Sequence, residues 1–304
     1  MFVNLSSCLI MALFSLVGVA FLTLLERKLL GYVQLRSGPN KVGIMGLFQP
    51  FSDAVKLFTK EFFIPLKSNF NLYWLSPLFS FIVSLSSWLV FPYFFGFMSW
   101  KLGILFLFSV LSFNVYGIML SGWSSNSSYS ILGSLRVVAQ SISYEVSFFL
   151  LILCILYFSG AMNLLELSVS QQKSWFVFLL FPIFIMLFVS FLAELNRTPF
   201  DFTEGESELV SGFNVEYGGA GFAFIFLSEY LSIIFSSVII SVFFLGGGVE
   251  SLTFYIKLLF ISLGVILIRG TLPRYRYDKL MNMCWKSYLM VSLTMILFYL
   301  SVCL

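Results

Sequence analysis

The 304-residue sequence predicts an all-α integral membrane protein, a single transmembrane domain of eight helices with an amphipathic inner-side helix in its first loop. Three observations carry this. Hydrophobic residues make up 60% of the chain and charged residues 10%, with a mean hydropathy of +0.99, whereas about a quarter of a soluble domain is charged. Apolar runs close to the roughly 20 residues needed to cross about 30 Å of hydrocarbon recur at 2–25, 72–97, 101–121, 134–160, 175–194, 219–245, 252–269 and 285–303. The basic residues, finally, are not spread evenly between these runs.

The first run lacks a basic leader and ends in Glu26-Arg27-Lys28 rather than at a small-residue cleavage site, so it reads as a span and not a signal peptide. The connections after the first, third, fifth and seventh spans hold fourteen of the 17 Lys and Arg residues, counting Arg136 at the edge of the fourth span. The alternate connections hold only Lys101, Lys173 and Lys257. Positively charged loops stay inside, so the odd connections face the inner side and both termini face the other. The first inner loop contains more than a linker. Leu47, Phe51, Val55, Phe58 and Phe62 recur at helical spacing while Asp53, Lys56 and Lys60 mark the opposite face. Pro50 suits the first turn, and the segment reads as a helix over 47–62 at the inner interface or against a partner. Arg36-Ser37-Gly38-Pro39-Asn40, before it, reads as a tight turn.

The chain has no histidine, which excludes a His-ligated haem, zinc or copper site and a His general base. Cys8, Cys154, Cys284 and Cys303 lie far apart in apolar runs and read as inert buried thiols. With no cysteine cluster and no glycine-rich dinucleotide turn, the chain is expected to bind no metal or redox cofactor of its own. A net charge of +3, scattered among apolar runs, does not describe a nucleic-acid-binding surface.

Carboxylates inside such a chain need a reason, because an ionised group at a helix centre costs about 2.5–3.5 kcal/mol on insertion scales. Glu145 lies nine residues beyond Arg136 in the fourth span, roughly 13 Å deeper. Arg136, Gln140 and Tyr144 share one helical face there, while Ser134, Ser141 and Glu145 fall on another. Glu194 ends the fifth span and Glu229 lies within the sixth. Two readings stand for these three: a proton relay in the bundle interior, or partners that lock helices through Arg136 and Arg197. The segment Ala193–Tyr217 concentrates Glu194, Asp201, Glu204, Glu206, Glu208 and Glu216, interleaved with Phe200, Phe202, Leu209, Val210 and Phe213. Carboxylates so crowded raise one another's pKa, unless inner-side arginines hold them ionised. Thr198-Pro199-Phe200-Asp201 also reads as a helix start. The Arg and Tyr alternation of Leu272–Asp278 suits a protein interface or an aromatic headgroup.

Long motifs then point to a family. They are LLERK at 24–28, QLRSGPNKVG at 34–43, QPFSDAVKLFTKE at 49–61, GWSSNSSYSILGSLRVVAQSISYEVS at 122–147, AELNRTPFDFTEGESELVSGFNVEY at 193–217 and PRYRYDKLMNMCWK at 273–286. Through them the chain resembles the family of subunit 1 of mitochondrial NADH:ubiquinone oxidoreductase, the respiratory complex I subunit corresponding to the bacterial H subunit. Leu195 and Met290 depart from residues common in that family, Thr and Pro respectively. The resemblance implies a multi-pass subunit of the mitochondrial inner membrane, with both termini in the intermembrane space and the acidic segment on the matrix side. It implies other membrane-arm subunits, quinone-module peripheral subunits and phospholipid as partners, ubiquinone as substrate, and FMN and iron–sulfur clusters on partner subunits. Carried over by motif, Arg27, Arg36, Asp53, Lys56, Ser211, Gly212, Phe213 and Arg274 line the quinone tunnel or its mouth. Glu145, Glu194, Asp201, Glu204, Glu206, Glu208 and Glu229 form an acidic proton path. Two other classes remain open on the residues alone, a redox-silent membrane anchor of a related hydrogenase-type complex and an autonomous proton-coupled transporter.

Overall fold

In hydrocarbon a helix satisfies every backbone N–H and C=O within one segment, and the long apolar runs of this chain are helical. The computed structural model describes residues 2–93, 100–202, 205, 212–246, 248 and 251–303. Its helices are α1 (Phe2–Val33), α2 (Gln49–Thr59), α3 (Phe70–Ser87), α4 (Gly103–Ser124), α5 (Ser128–Ser159), α6 (Leu164–Ser170), α7 (Phe176–Leu179), α8 (Phe181–Glu194), α9 (Gly219–Ile240), α10 (Leu252–Thr271), α11 (Tyr277–Asn282) and α12 (Leu289–Cys303). A π-helical turn, Met283–Tyr288, joins the last two. Among the described residues there is no strand, and 7 helical stretches are long and apolar enough to cross a membrane.

The fifth expected span, 175–194, is the one that differs. It is broken at Leu180 into α7 and α8, with Pro182 in the first turn of the second piece, where its missing N–H costs no helical bond. The 14 residues of α8 rise about 21 Å, short of a full hydrocarbon crossing. The amphipathic segment is also shorter than the periodicity predicts. Leu47 and Phe62 fall outside α2, and Phe62 instead stacks on Trp74 with ring centroids 4.1 Å apart. In the other direction, α5 begins before its apolar run, at Ser128. Its first turns are polar but packed: a Cβ on Gly133 would lie 3.2 Å from the Phe213 nitrogen, so this glycine lets the backbone of 212–213 lie directly on α5.

In the bundle, α3 packs between α4 and α9, α4 packs on α5, and α5 packs on α8 and α12. On the other flank α1 runs against α9 and α10, and α2 lies over α1 and α9. The largest core cluster, with Leu151, Ile155, Leu187 and Phe243 fully buried, fixes α5, α8 and the end of α9 by close van der Waals contact, the main cohesive force between helices in lipid. It lies away from α1 and α2, and the space left there holds the site.

Candidate functional site

Between α1, α2 and α9 lies a cavity of about 880 Å³. Its walls are apolar: Leu13, Val17 and Ala20 from α1, Phe51, Leu57 and Phe58 from α2, and Phe222, Phe226 and Leu227 from α9. The α2 stripe turned to it is Pro50, Phe51, Ala54, Leu57 and Phe58, while Val55, expected on that face, is exposed. Charge is confined to one part of the lining, where Glu26, Arg27, Asp53, Tyr230 and Arg269 meet. Arg27 pairs with Asp53 at 2.5 Å across the partly exposed rim, and Gln49 donates to the same carboxylate at 3.0 Å.

Glu26 is the buried member, 6% exposed. Its carboxylate pairs with Arg269, in the last turn of α10, and accepts a 2.7 Å hydrogen bond from the Tyr230 hydroxyl. Arg269 stands where a cation complements the negative end of a helix dipole. Tyr230 in turn offers its ring face to the guanidinium of Arg197, 4.7 Å from the ring centroid. Arg197, also buried, reaches Glu229 at 3.5 Å. One chain of contacts thus runs from the wall of the large cavity, through Glu26, Tyr230 and Arg197, to Glu229.

Beyond Glu229 the setting changes. Two cavities of about 30 Å³ follow, one lined by Glu229 and Glu194, the next by Glu194 and Glu145. A water needs roughly 10–15 Å³ of such space and polar partners, and both cavities qualify. Asn114 and Asn196 line both, with Ser228 and Ser232 in the first and Ser141, Ser190 and Tyr144 in the second. The carboxylates of Glu145 and Glu194 have no ion pair or protein hydrogen bond among the described residues. Of the two readings left open by the residues, locking by arginine describes Glu229 and not the other two.

Both ends of the acidic segment are pinned. At its start Gln140, fully buried on α5, donates from Nε2 to the carbonyls of Ala193 at 2.7 Å and Phe200 at 3.2 Å; the first also accepts from the Asn196 N–H at 3.3 Å at the end of α8. At its finish Tyr217 stacks on Tyr73, centroids 4.4 Å apart and planes 3° from parallel. The Tyr217 hydroxyl shares hydrogen bonds with Ser76 and Ser124, each at 3.0 Å. Burial pushes the Tyr217 phenol up and these two hydrogen bonds pull it partly back. Between the pins, the expected helix start at Thr198 is absent. The Thr198–Pro199 peptide is cis, and the Phe200 N–H donates to the Arg197 carbonyl at 2.8 Å in a turn. Asp201 therefore does not cap a helix there; buried, it takes Arg274 at 3.1 Å.

Of the residues named from the sequence, Arg27 and Asp53 lie at the large cavity, whereas Arg36 and Lys56 are exposed and do not line it. Arg274 belongs to the acidic segment's surroundings. Gly212 and Phe213 are buried against the small-cavity side, Phe213 lining the cavity of Glu229 and Glu194. Ser211, Glu204, Glu206 and Glu208 lie outside the described residues. The Arg and Tyr stretch meets a partner within the chain, with Tyr275 against Phe200 and Tyr277 against Phe202 at 5.9 and 5.7 Å between ring centroids. Sequence reading did not single out Glu26, Arg269, Tyr230, Asn114 or Asn196. The available signal was Glu26 itself, an acid at the foot of an apolar run; it stood beside Arg27 and Lys28 and read as flanking charge.

A family model described as NADH dehydrogenase matches residues 6–300. The chain belongs to the NADH dehydrogenase family. It is 55% identical to a protein of Aedes aegypti named NADH-ubiquinone oxidoreductase chain 1, over 98% of this chain and 96% of that one. Relatives of the same name from Anopheles gambiae and Locusta migratoria are 55% and 54% identical, over 96% and 93% of this chain and 93% and 90% of theirs. This is the family the sequence motifs resemble. In this member of the NADH dehydrogenase family, the large cavity suits a long apolar molecule with a polar head, and the small ones suit water between carboxylates.

Proposed function

We propose that this chain is a core membrane subunit of a proton-pumping NADH:ubiquinone oxidoreductase, and that it holds part of the ubiquinone tunnel and couples quinone reduction to proton movement. It sits in the mitochondrial inner membrane, with both termini in the intermembrane space and the acidic segment on the matrix side. Its partners are the other membrane-arm subunits and the quinone-module peripheral subunits, with phospholipid on its apolar faces. FMN and iron–sulfur clusters belong to those partners, and this chain supplies no electron carrier.

The observation that supports the reading best is the contact chain from Glu26 through Tyr230 and Arg197 to Glu229, because it joins an apolar cavity to an acidic one roomy enough for water. Reduction of a quinone to a quinol takes up two electrons and two protons, so it changes charge and proton demand at the polar end of the tunnel. Glu26, paired with Arg269 and Tyr230, is placed to feel that change. A shift there alters how firmly the Tyr230 hydroxyl is held, and with it the Arg197 and Glu229 pair. Glu229 then exchanges a proton through water with Glu194, and Glu194 with Glu145, toward the pumping partners. The scale is adequate: one charge crossing 100 mV needs about 2.3 kcal/mol, close to a pKa change of about two units in one group.

The test uses the assembled complex. A photoactivatable ubiquinone analogue is expected to label α1, α2 or α9 along the cavity, and Glu194→Gln is expected to abolish proton pumping. Labelling confined to other subunits, together with full pumping by Glu194→Gln, would contradict the reading.

A further inference from the structure

The acidic cavities share a feature that the carboxylates do not explain. Asn114 stands near the midpoint of α4 (Gly103–Ser124), an otherwise strongly apolar helix. Asn114 is half-buried, and a polar side chain drawn partly out of water favours a hydrogen-bonding partner. Among the described residues the Asn114 side chain has no protein hydrogen bond. It does have three cavities. Asn114 lines the cavity of Glu145 and Glu194, the cavity of Glu194 and Glu229, and a third of about 30 Å³ that runs from Glu194 past Ser84, Ser87, Ser232 and Ser236. Glu194 is the other residue common to all three. Across the first two cavities Asn196 faces the same space, its backbone at φ 50 and its side-chain oxygen buried with no protein partner.

We propose that Asn114 is the positioning residue of this junction, holding the water through which protons pass between Glu194 and its neighbours Glu229 and Glu145. An amide offers two donors and one acceptor oxygen and does not titrate. It can therefore orient a water on either side of Glu194 without becoming a stop for the proton. Each transfer moves one proton from a carboxylic acid to water and one from water to the next carboxylate, so the amide ends each pass unchanged. A leucine in its place fills similar volume and removes both kinds of partner from all three cavities.

This inference rests on the proton-path reading above, and its test separates the two. In the assembled complex, with integrity checked by NADH oxidation to an artificial acceptor that bypasses quinone, Asn114→Leu is expected to lower pumping-coupled turnover roughly a hundredfold or more, within the range that positioned proton transfer contributes. Its solvent deuterium isotope effect is expected to rise, which a purely structural role would not produce. Asn114→Ser, which keeps a donor and an acceptor, should recover most of the loss, and Asn114→Asp should add an ionisation to the pH profile. If Asn114→Leu pumps like the parent with an unchanged isotope effect while Glu194→Gln does not pump, the role of Asn114 is refuted and the proton path stands. Full pumping by both variants removes the proton path as well. Should the leucine variant not assemble, an Asn114→Asp complex with the parent pH profile would overturn the proposal.

Discussion

The two kinds of cavity in this molecule differ in size by more than an order of magnitude, about 880 Å³ against about 30 Å³, and differ in the opposite sense in polarity. The large one is walled by Phe and Leu side chains from three helices, with its charges gathered in one part and already paired: Arg27 with Asp53, Glu26 with Arg269. The small ones hold Glu145 and Glu194 with no protein partner among the described residues. Paired charges hold a shape, whereas carboxylates without an ion pair, in cavities roomy enough for water, can exchange protons. On the proposed reading, the comparison is a division of labour in which one region binds and the other conducts. Tyr230 and Arg197 stand at the boundary against each other, Tyr230 touching Glu26 on one side and Arg197 touching Glu229 on the other.

The largest effect on that contrast is expected from Arg197→Met. It takes the Arg197 cation away from Glu229 and from the Tyr230 ring face, and removing one partner of a buried pair costs about 3–5 kcal/mol. Loss of assembled complex, read on native gels, is the expected outcome; normal assembly would mean Glu229 finds another partner. Gln140→Leu strikes the pinned start of the acidic segment. The carbonyls of Ala193 and Phe200 lose the Gln140 amide but keep the backbone N–H groups of Asn196 and Phe202, so each lost bond costs about 0.5–1.5 kcal/mol, seen as a lower midpoint of thermal inactivation of the assembled complex and faster proteolysis near residue 200. Phe58→Ala should act on the binding region alone. It removes apolar wall and is expected to raise the KM for a long-tailed quinone about tenfold or more, at about 1–3 kcal/mol for lost apolar contact, while the number of protons pumped per electron stays unchanged. A fall in that number would show that the two regions are not separable.

How far the sequence foretold this arrangement depends on what each residue's meaning rests on. Helix positions were legible because length and hydropathy are properties of a single segment, and Pro182 marks in the sequence the place where the fifth run breaks. Glu145, Glu194 and Glu229 were legible as anomalies, since a carboxylate in an apolar run is conspicuous wherever its neighbours lie. Glu26 was not, because the same residue type next to Arg27 and Lys28 looks like interfacial charge until α10 brings Arg269 to it across the bundle. Asn114 escaped for a related reason. A single amide in an apolar helix is unremarkable until three cavities are found to meet at it. Thr198-Pro199 misled in the other direction, since local capping chemistry was outweighed by the buried pair that Asp201 makes with Arg274.

The central claim is that binding in the large cavity is connected to conduction in the small ones through Tyr230. Tyr230→Phe tests it most directly, because it removes the hydroxyl that donates to Glu26 and keeps the ring face that holds Arg197. The measurement is the proton-to-electron ratio of the assembled complex, taken together with the quinone KM. A fall in the ratio, with a KM within about threefold of the parent, an energy difference below 1 kcal/mol, is the predicted result. A parent-like ratio in a complex that lacks only this hydroxyl would contradict it.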